Sequence, residues 1–175
     1  MPRYQAHEDF PHFCTITVLD WVPVFIDERY VRLILESLRF CREKKGLRLY
    51  AYVVMPNHLH LIARADGGLH PVMRDFKRFT SRSVHDSLVA DERRTLLSWL
   101  LSAMEPGRRE RGEFSLWKSG FHPQAIYSEE VLLQKLEYLN NNPVRKGFVF
   151  RPEDWRFGSE SENRILEVDP LKDLI

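Results

Sequence analysis

The 175-residue chain has two cysteines, no run of eighteen apolar residues and almost no net charge. Cys14 and Cys41 form no metal-type spacing, which sets aside disulfide frameworks and zinc modules and suits a reduced, cytoplasmic setting. Without a long apolar run no transmembrane helix is expected, and therefore no membrane partner. The first ten residues, MPRYQAHEDF, lack the apolar centre of a secretion signal. Lys and Arg number 26 against 25 Asp and Glu, so the total of +1 does not announce a nucleic-acid binder. There is no internal repeat, no Walker loop, no GxGxxG and no serine elbow, which sets aside the nucleotide and acyl-transfer sites built on them.

What remains is an ordinary folded composition, 43% hydrophobic and 29% charged. The length fits one domain, 1–175, with its core over about 10–160. The charges are unevenly spread. Arg74, Lys77, Arg78 and Arg82 sit close together, Arg108, Arg109 and Arg111 make a second basic cluster, and the tail after Pro152 leans acidic. A near-neutral sum can therefore hide a basic face, although a solvated helix surface carries the same pattern.

Residues 13–19, rich in β-branched side chains, read as a strand. Asp27 suits the N-cap of a helix ending near Lys44 or Lys45. Residues 47–55 and 58–64 read as a hairpin turned at Pro56-Asn57. A helix from about Leu69 or Pro71 to Leu88 has Val72, Met73, Phe76, Phe79 and Ser83 as its inward stripe. Arg74, Arg78 and Arg82 share another of its faces, with Lys77 off that line. Asp91 can cap a further helix holding Trp99 and Leu100, residues 108–113 read as a charged loop, and 124–127 as a fourth strand. Ser128 caps a last helix to about Asn141, where Pro143 is expected to end it. From Val144 the chain reads as an irregular strap. This order predicts an α+β fold: a ferredoxin-like βαββαβ antiparallel sheet, with the added C-terminal tyrosine-bearing helix on the sheet's second face.

Two local patterns carry chemistry. Strand side chains alternate, so His58 and His60 face one side and can chelate a cation, while Leu59 and Leu61 face the core. Two surface histidines would give the same pattern. On the last helix, Leu132, Leu133, Leu136, Leu139 and Asn140 share one face, and Tyr138 lies off it. That suits a nucleophile aimed from the polar side, with Asn142 one turn on; a solvated tyrosine is the plainer alternative. If the site handles DNA, Arg74, Lys77, Arg78 and Arg82 are the candidate phosphate contacts, Lys77 alternatively pointing into the site.

At these residues the chain resembles a known family. VVMPNHLHLI, then LWKSGFHPQAIYSEEVLLQKLEYLNNNPVRKGFV, then WRFGS resemble the single-tyrosine HUH transposases, most of all the REP-associated tyrosine transposases and related insertion-sequence transposases. The resemblance implies a ferredoxin-like nuclease domain acting on single-stranded or hairpin DNA, as a monomer or homodimer. It implies Tyr138 as the nucleophile forming a covalent 5′-phosphotyrosine, and His58, His60 and Asn142 as ligands of Mg²⁺ or Mn²⁺. Where those relatives carry a Gly-Thr-Trp-type N-terminal segment, this chain reads HEDFPHFCTITVLDW. Two other readings stand beside this one: a non-catalytic single-stranded DNA or RNA-binding ferredoxin-like module, and a metal-dependent phosphohydrolase that uses water.

Overall fold

The computed structural model describes residues 10–174, so the reading of MPRYQAHEDF lies almost wholly outside the described residues. The β-branched N-terminal run forms β1, His12–Thr17, shorter than the expected 13–19 because two 3-10 turns, Leu19–Trp21 and Val24–Ile26, follow it. Asp27 caps α1, Glu28–Lys44, its carboxylate accepting from the Arg29 amide. The hairpin forms as read, with β2 at Leu47–Met55 and β3 at His58–Ala65. Next come α2 (Leu69–Ala90), α3 (Arg94–Ala103) and α4 (Pro106–Glu110). The fourth strand, β4, is reduced to Gln124–Ala125. It leads into α5, Glu129–Asn140, capped by the Ser128 hydroxyl, and the single turn α6, Asn142–Arg145.

The sheet order is β2-β3-β1-β4, every pairing antiparallel. β3 lies between β1 and β2, and β1 lies between β3 and β4. This is the split βαβ of a ferredoxin-like sheet. Alternation along the strands then divides the interior in two. Cys14, Ile16, Leu59, Leu61, Leu49 and Val54 pack under α1 and α2. Phe13, Val53, Met55 and Ile62 pack under Leu132 and Leu139 of α5. The tyrosine helix therefore covers the second sheet face, and no helix among the described residues is long and apolar enough to cross a membrane.

Several sequence expectations fail for local reasons. The α2 stripe runs through Val72, Met73, Phe76, Thr80, Val84 and Leu88, leaving Phe79 62% exposed. Thr80 sits there instead because its hydroxyl donates to Phe76 O and accepts from the buried Trp117 indole at 2.8 Å. Asp91 does not cap α3: its carboxylate is taken by the Tyr30 hydroxyl and by Arg29. Residues 106–110 are helical, with Pro106 in the first turn. Leu133 is exposed on α5.

The strap after α6 runs along the outer edge of β2. Val54 N–H donates to Phe157 O and Ser159 N–H to Tyr52 O. The Asp169 carboxylate accepts from Leu49 N–H at 2.8 Å. Tyr52, wholly buried, joins this strap to the core: its hydroxyl donates to Leu166 O and accepts from Leu166 N–H, both at 3.1 Å. Tyr52→Phe strands a buried donor and a buried acceptor together. A loss of about 1–3 kcal/mol is expected in urea unfolding, and a loss under about 0.5 kcal/mol would show that the strap contributes little here.

Candidate active site

His58 and His60 lie two apart on the central strand β3, on the face covered by α5. Their registers set His60 between Thr15 and Val53, and His58 between Thr17 and Met55. The two rings meet edge to face with centroids 4.7 Å apart, and the residues are only 7% and 4% exposed. Burial is the main reason both pKa values fall. His58 drops to about 4, with Lys146 adding repulsion and the neighbouring Asn142 amide working against the shift. His60 drops to about 3, with His58 adding to burial. Both imidazoles are therefore neutral at pH 7, the form that offers a ring nitrogen to a metal.

Each imidazole is oriented through Nδ1. Asn57 Nδ2 donates to Trp21 O at 3.2 Å, which fixes which way the Asn57 amide points. Asn57 Oδ1 then accepts from His58 Nδ1–H at 2.7 Å. In the neutral ring this leaves the lone pair on Nε2. Thr15 Oγ1 and His60 Nδ1 are hydrogen-bonded at 2.8 Å. Such partners to the far nitrogen fix ring tautomer and tilt at metal sites.

The tyrosine helix brings the rest. Tyr138 is 40% exposed; its ring lies 5.5 Å from that of His60 and 5.8 Å from that of Phe13, both edge on. The tyrosine helix α5 ends at Asn140, just before Pro143, as the sequence suggested. Asn141 keeps right-handed helical angles, and Pro143 falls in the first turn of α6, where its missing N–H costs nothing. The single turn α6 follows at once and sets Asn142 beside His58 and Arg145 back by Tyr138. Asn142 is 5% exposed, and its Oδ1 has no hydrogen-bond partner. The Arg145 guanidinium lies over the Tyr138 ring at 5.3 Å.

No group of three His, Cys, Asp or Glu among the described residues could hold a metal. The donors gathered on this face are two neutral imidazoles, whose rings meet, and the buried Asn142 amide beside His58, whose oxygen makes no hydrogen bond of good geometry. A buried, unsatisfied carbonyl-type oxygen is costly unless something electropositive meets it. The set thus fits a divalent cation, its oxygen favouring Mg²⁺ or Mn²⁺ more than its imidazoles do.

The residues expected to contact phosphate lie away from the histidine pair. α2 packs on the opposite sheet face, and Arg74, Arg78 and Arg82 stand on its outer surface, Arg74 and Arg78 paired with Asp75. Lys77 does not point into the site. Its ammonium donates to Lys118 O at 2.7 Å and Gly120 O at 2.8 Å, tying that loop to α2. Lys77→Met is expected to cost about 1–2 kcal/mol in urea unfolding with an unchanged slope; no loss would mean that water replaces the lysine. The cations that do face the site are Lys118 over Trp21, Lys135 over Phe13, Arg145 over Tyr138, and Lys146 near His58. The seven-residue spacing from Tyr138 to Arg145 was readable in the sequence. Lys118 and Trp21 had no local signal, because long-range contacts such as the bridge between Val18 and Trp117 bring their segments together.

No family model matches the chain, and no curated protein does. Solved structures do. One is a REP-associated tyrosine transposase bound to a REP hairpin: 18% identity, 91% of this chain and 82% of that chain covered, TM-score 0.62. Another, described as a candidate transposase from Deinococcus radiodurans R1, is 20% identical over 75% of this chain and 88% of that chain, with a TM-score of 0.47. The chain thus has the fold of the hairpin-bound transposase.

Proposed function

We propose that this protein is a single-tyrosine HUH transposase or a nuclease derived from one, which cuts and rejoins single-stranded DNA through Tyr138. One observation carries the reading. In a single chain, Tyr138 faces a pair of buried neutral histidines and an unpartnered buried amide oxygen. The fold shared with a hairpin-bound tyrosine transposase agrees with it.

His58, His60 and Asn142 would hold the divalent cation, Mg²⁺ or Mn²⁺. Such a cation, when bound, withdraws charge from a phosphodiester and positions it. The chain's own residues do the remaining work. The Tyr138 hydroxyl gives up its proton as its oxygen bonds to phosphorus, the P–O3′ bond breaks, and the leaving oxygen takes a proton to become a 3′-hydroxyl. The DNA 5′-phosphate stays on Tyr138 as a phosphodiester, so a second 3′-hydroxyl can displace the tyrosine and restore a continuous strand without ATP. Lys135, Arg145 and Lys146 supply positive charge where the DNA backbone would pass. Because Tyr138 meets the histidines within its own chain, a monomer contains every part, and a homodimer is not required for cutting. Buried free thiols at Cys14 and Cys41 suit a cytoplasmic setting.

The test is a single-stranded hairpin oligonucleotide incubated with manganese and resolved under denaturing conditions. A 3′-end label is expected in a protein adduct that survives SDS, and a 5′-end label in a free, shorter strand. Cleavage without an adduct would replace this reading by water-mediated hydrolysis. Binding without cleavage would leave a non-catalytic nucleic-acid module.

A further inference from the structure

Trp21 has a place in the molecule that packing does not account for. It belongs to neither apolar core, and its residue is 52% exposed. It stands in a left-handed backbone conformation, φ 58°, directly after Asp20 at φ 48°. Bulky side chains rarely adopt that region, and two such non-glycine residues in succession need a surrounding that holds them. Here Trp21 N–H donates to Val18 O at 3.1 Å, and Asn57 Nδ2 donates to Trp21 O at 3.2 Å. The same asparagine orients His58, so the Trp21 backbone and the histidine pair share one anchor.

The indole is thereby presented at the rim of the candidate active site. Its ring lies 5.9 Å from the His58 ring, edge to face. The Lys118 ammonium sits 4.5 Å from its centroid. Lys118 is held there twice over: its N–H donates to Thr17 O at 2.8 Å, and its carbonyl accepts from Lys77. An exposed aromatic paired with a lysine, on a rim whose facing charges are Lys118, Lys135, Arg145 and Lys146, suits a ligand with flat rings and a string of negative charges. Single-stranded nucleic acid has both, because each base presents a π-face to stack while its phosphate meets a cation.

We infer that Trp21 and Lys118 form a stacking platform for a nucleobase of the single strand lying across the active site, a substrate contact that rests on the nuclease reading above. Stacking on an indole accepts any base, so the platform holds the strand without choosing its sequence.

The experiment compares an oligothymidylate with an abasic oligomer of equal length and phosphate number, by fluorescence anisotropy without divalent metal. The wild-type protein is expected to prefer the base-bearing strand by roughly tenfold or more. Trp21→Asn, whose side chain suits a left-handed backbone, is expected to bind both strands as weakly as the wild type binds the abasic one. Trp21→Tyr keeps an aromatic face and is expected to retain most of the preference. Lys118→Met is expected to weaken binding to both strands. If the wild type binds both strands equally, or Trp21→Asn weakens them equally, the stacking platform is overturned. The nuclease reading then still stands or falls separately on the covalent adduct. If the wild type binds neither strand and forms no adduct, both are overturned together.

Discussion

Tyr138→Phe is expected to abolish the SDS-resistant adduct on hairpin DNA and to lower strand cleavage by about a thousandfold or more, the scale seen when a covalent nucleophile is removed. The argument rests on what the substitution leaves alone. Tyr138 is 40% exposed and lies off the Leu132–Leu139 stripe that seats α5 on the sheet. Phenylalanine keeps the edge contacts to His60 and Phe13 and the face offered to Arg145. The thermal midpoint, metal affinity and single-strand affinity should therefore match the wild type, with only the covalent step lost. Cleavage at an undiminished rate in this variant would take the nucleophile away from Tyr138 and leave hydrolysis by water.

Asn142 gives the second large effect, because its orphaned oxygen sets function against stability. Asn142→Leu removes a buried polar atom that has no donor. In metal-free protein the thermal midpoint should hold or rise by a few degrees, as befits relief of about 1 kcal/mol. In manganese the order reverses. The wild type should gain stability with rising metal concentration, as any ligand specific to the folded state requires. Asn142→Leu should show at least a tenfold weaker dependence and should lose metal-dependent cleavage with it. Asn142→Asp separates a ligand from a packing residue: a buried carboxylate without a cation is destabilising, so its metal-free midpoint should fall while its gain in manganese exceeds that of the wild type. Equal manganese responses in all three proteins would remove Asn142 from the metal site.

The sequence carried the sheet well, because its long strands and first helices are written in periodicity. The β-branched run of β1, the hairpin at Pro56-Asn57 and the Asp27 and Ser128 caps needed no tertiary context. Alternation alone put His58 and His60 opposite Leu59 and Leu61, helical spacing put Tyr138 off its apolar stripe with Asn142 one turn on, and the family resemblance gave those two their expected roles. Periodicity failed where a long-range bond overrode a local preference. Thr80 displaced Phe79 from the α2 stripe because it receives the Trp117 indole, and Asp91 was drawn from a capping role toward Tyr30 and Arg29. Pro143 marked the end of α5 correctly, but the further turn α6, which returns Arg145 to Tyr138, had no periodicity long enough to announce it. Basic residues were legible as one shared face of α2, but not by which side of the sheet that face lies on. Which side of the sheet α2 covers is decided by the chain's path, and that path puts Arg74, Arg78 and Arg82 behind the histidines' strand.

The strap on β2 has a consequence for how the protein comes into being. β2 is the sheet's long outer strand, and the groups that pair with its free side come from residues 157–169, more than a hundred positions later. A ribosome releases the chain in order, so β2 emerges long before its cover exists. Closing so wide a loop is slow relative to forming the Pro56-Asn57 hairpin. Throughout that interval an open strand rich in Leu, Tyr and Val is available to other nascent chains. The arginine at position 48, half exposed on that strand, is the one charge β2 carries against such pairing during synthesis.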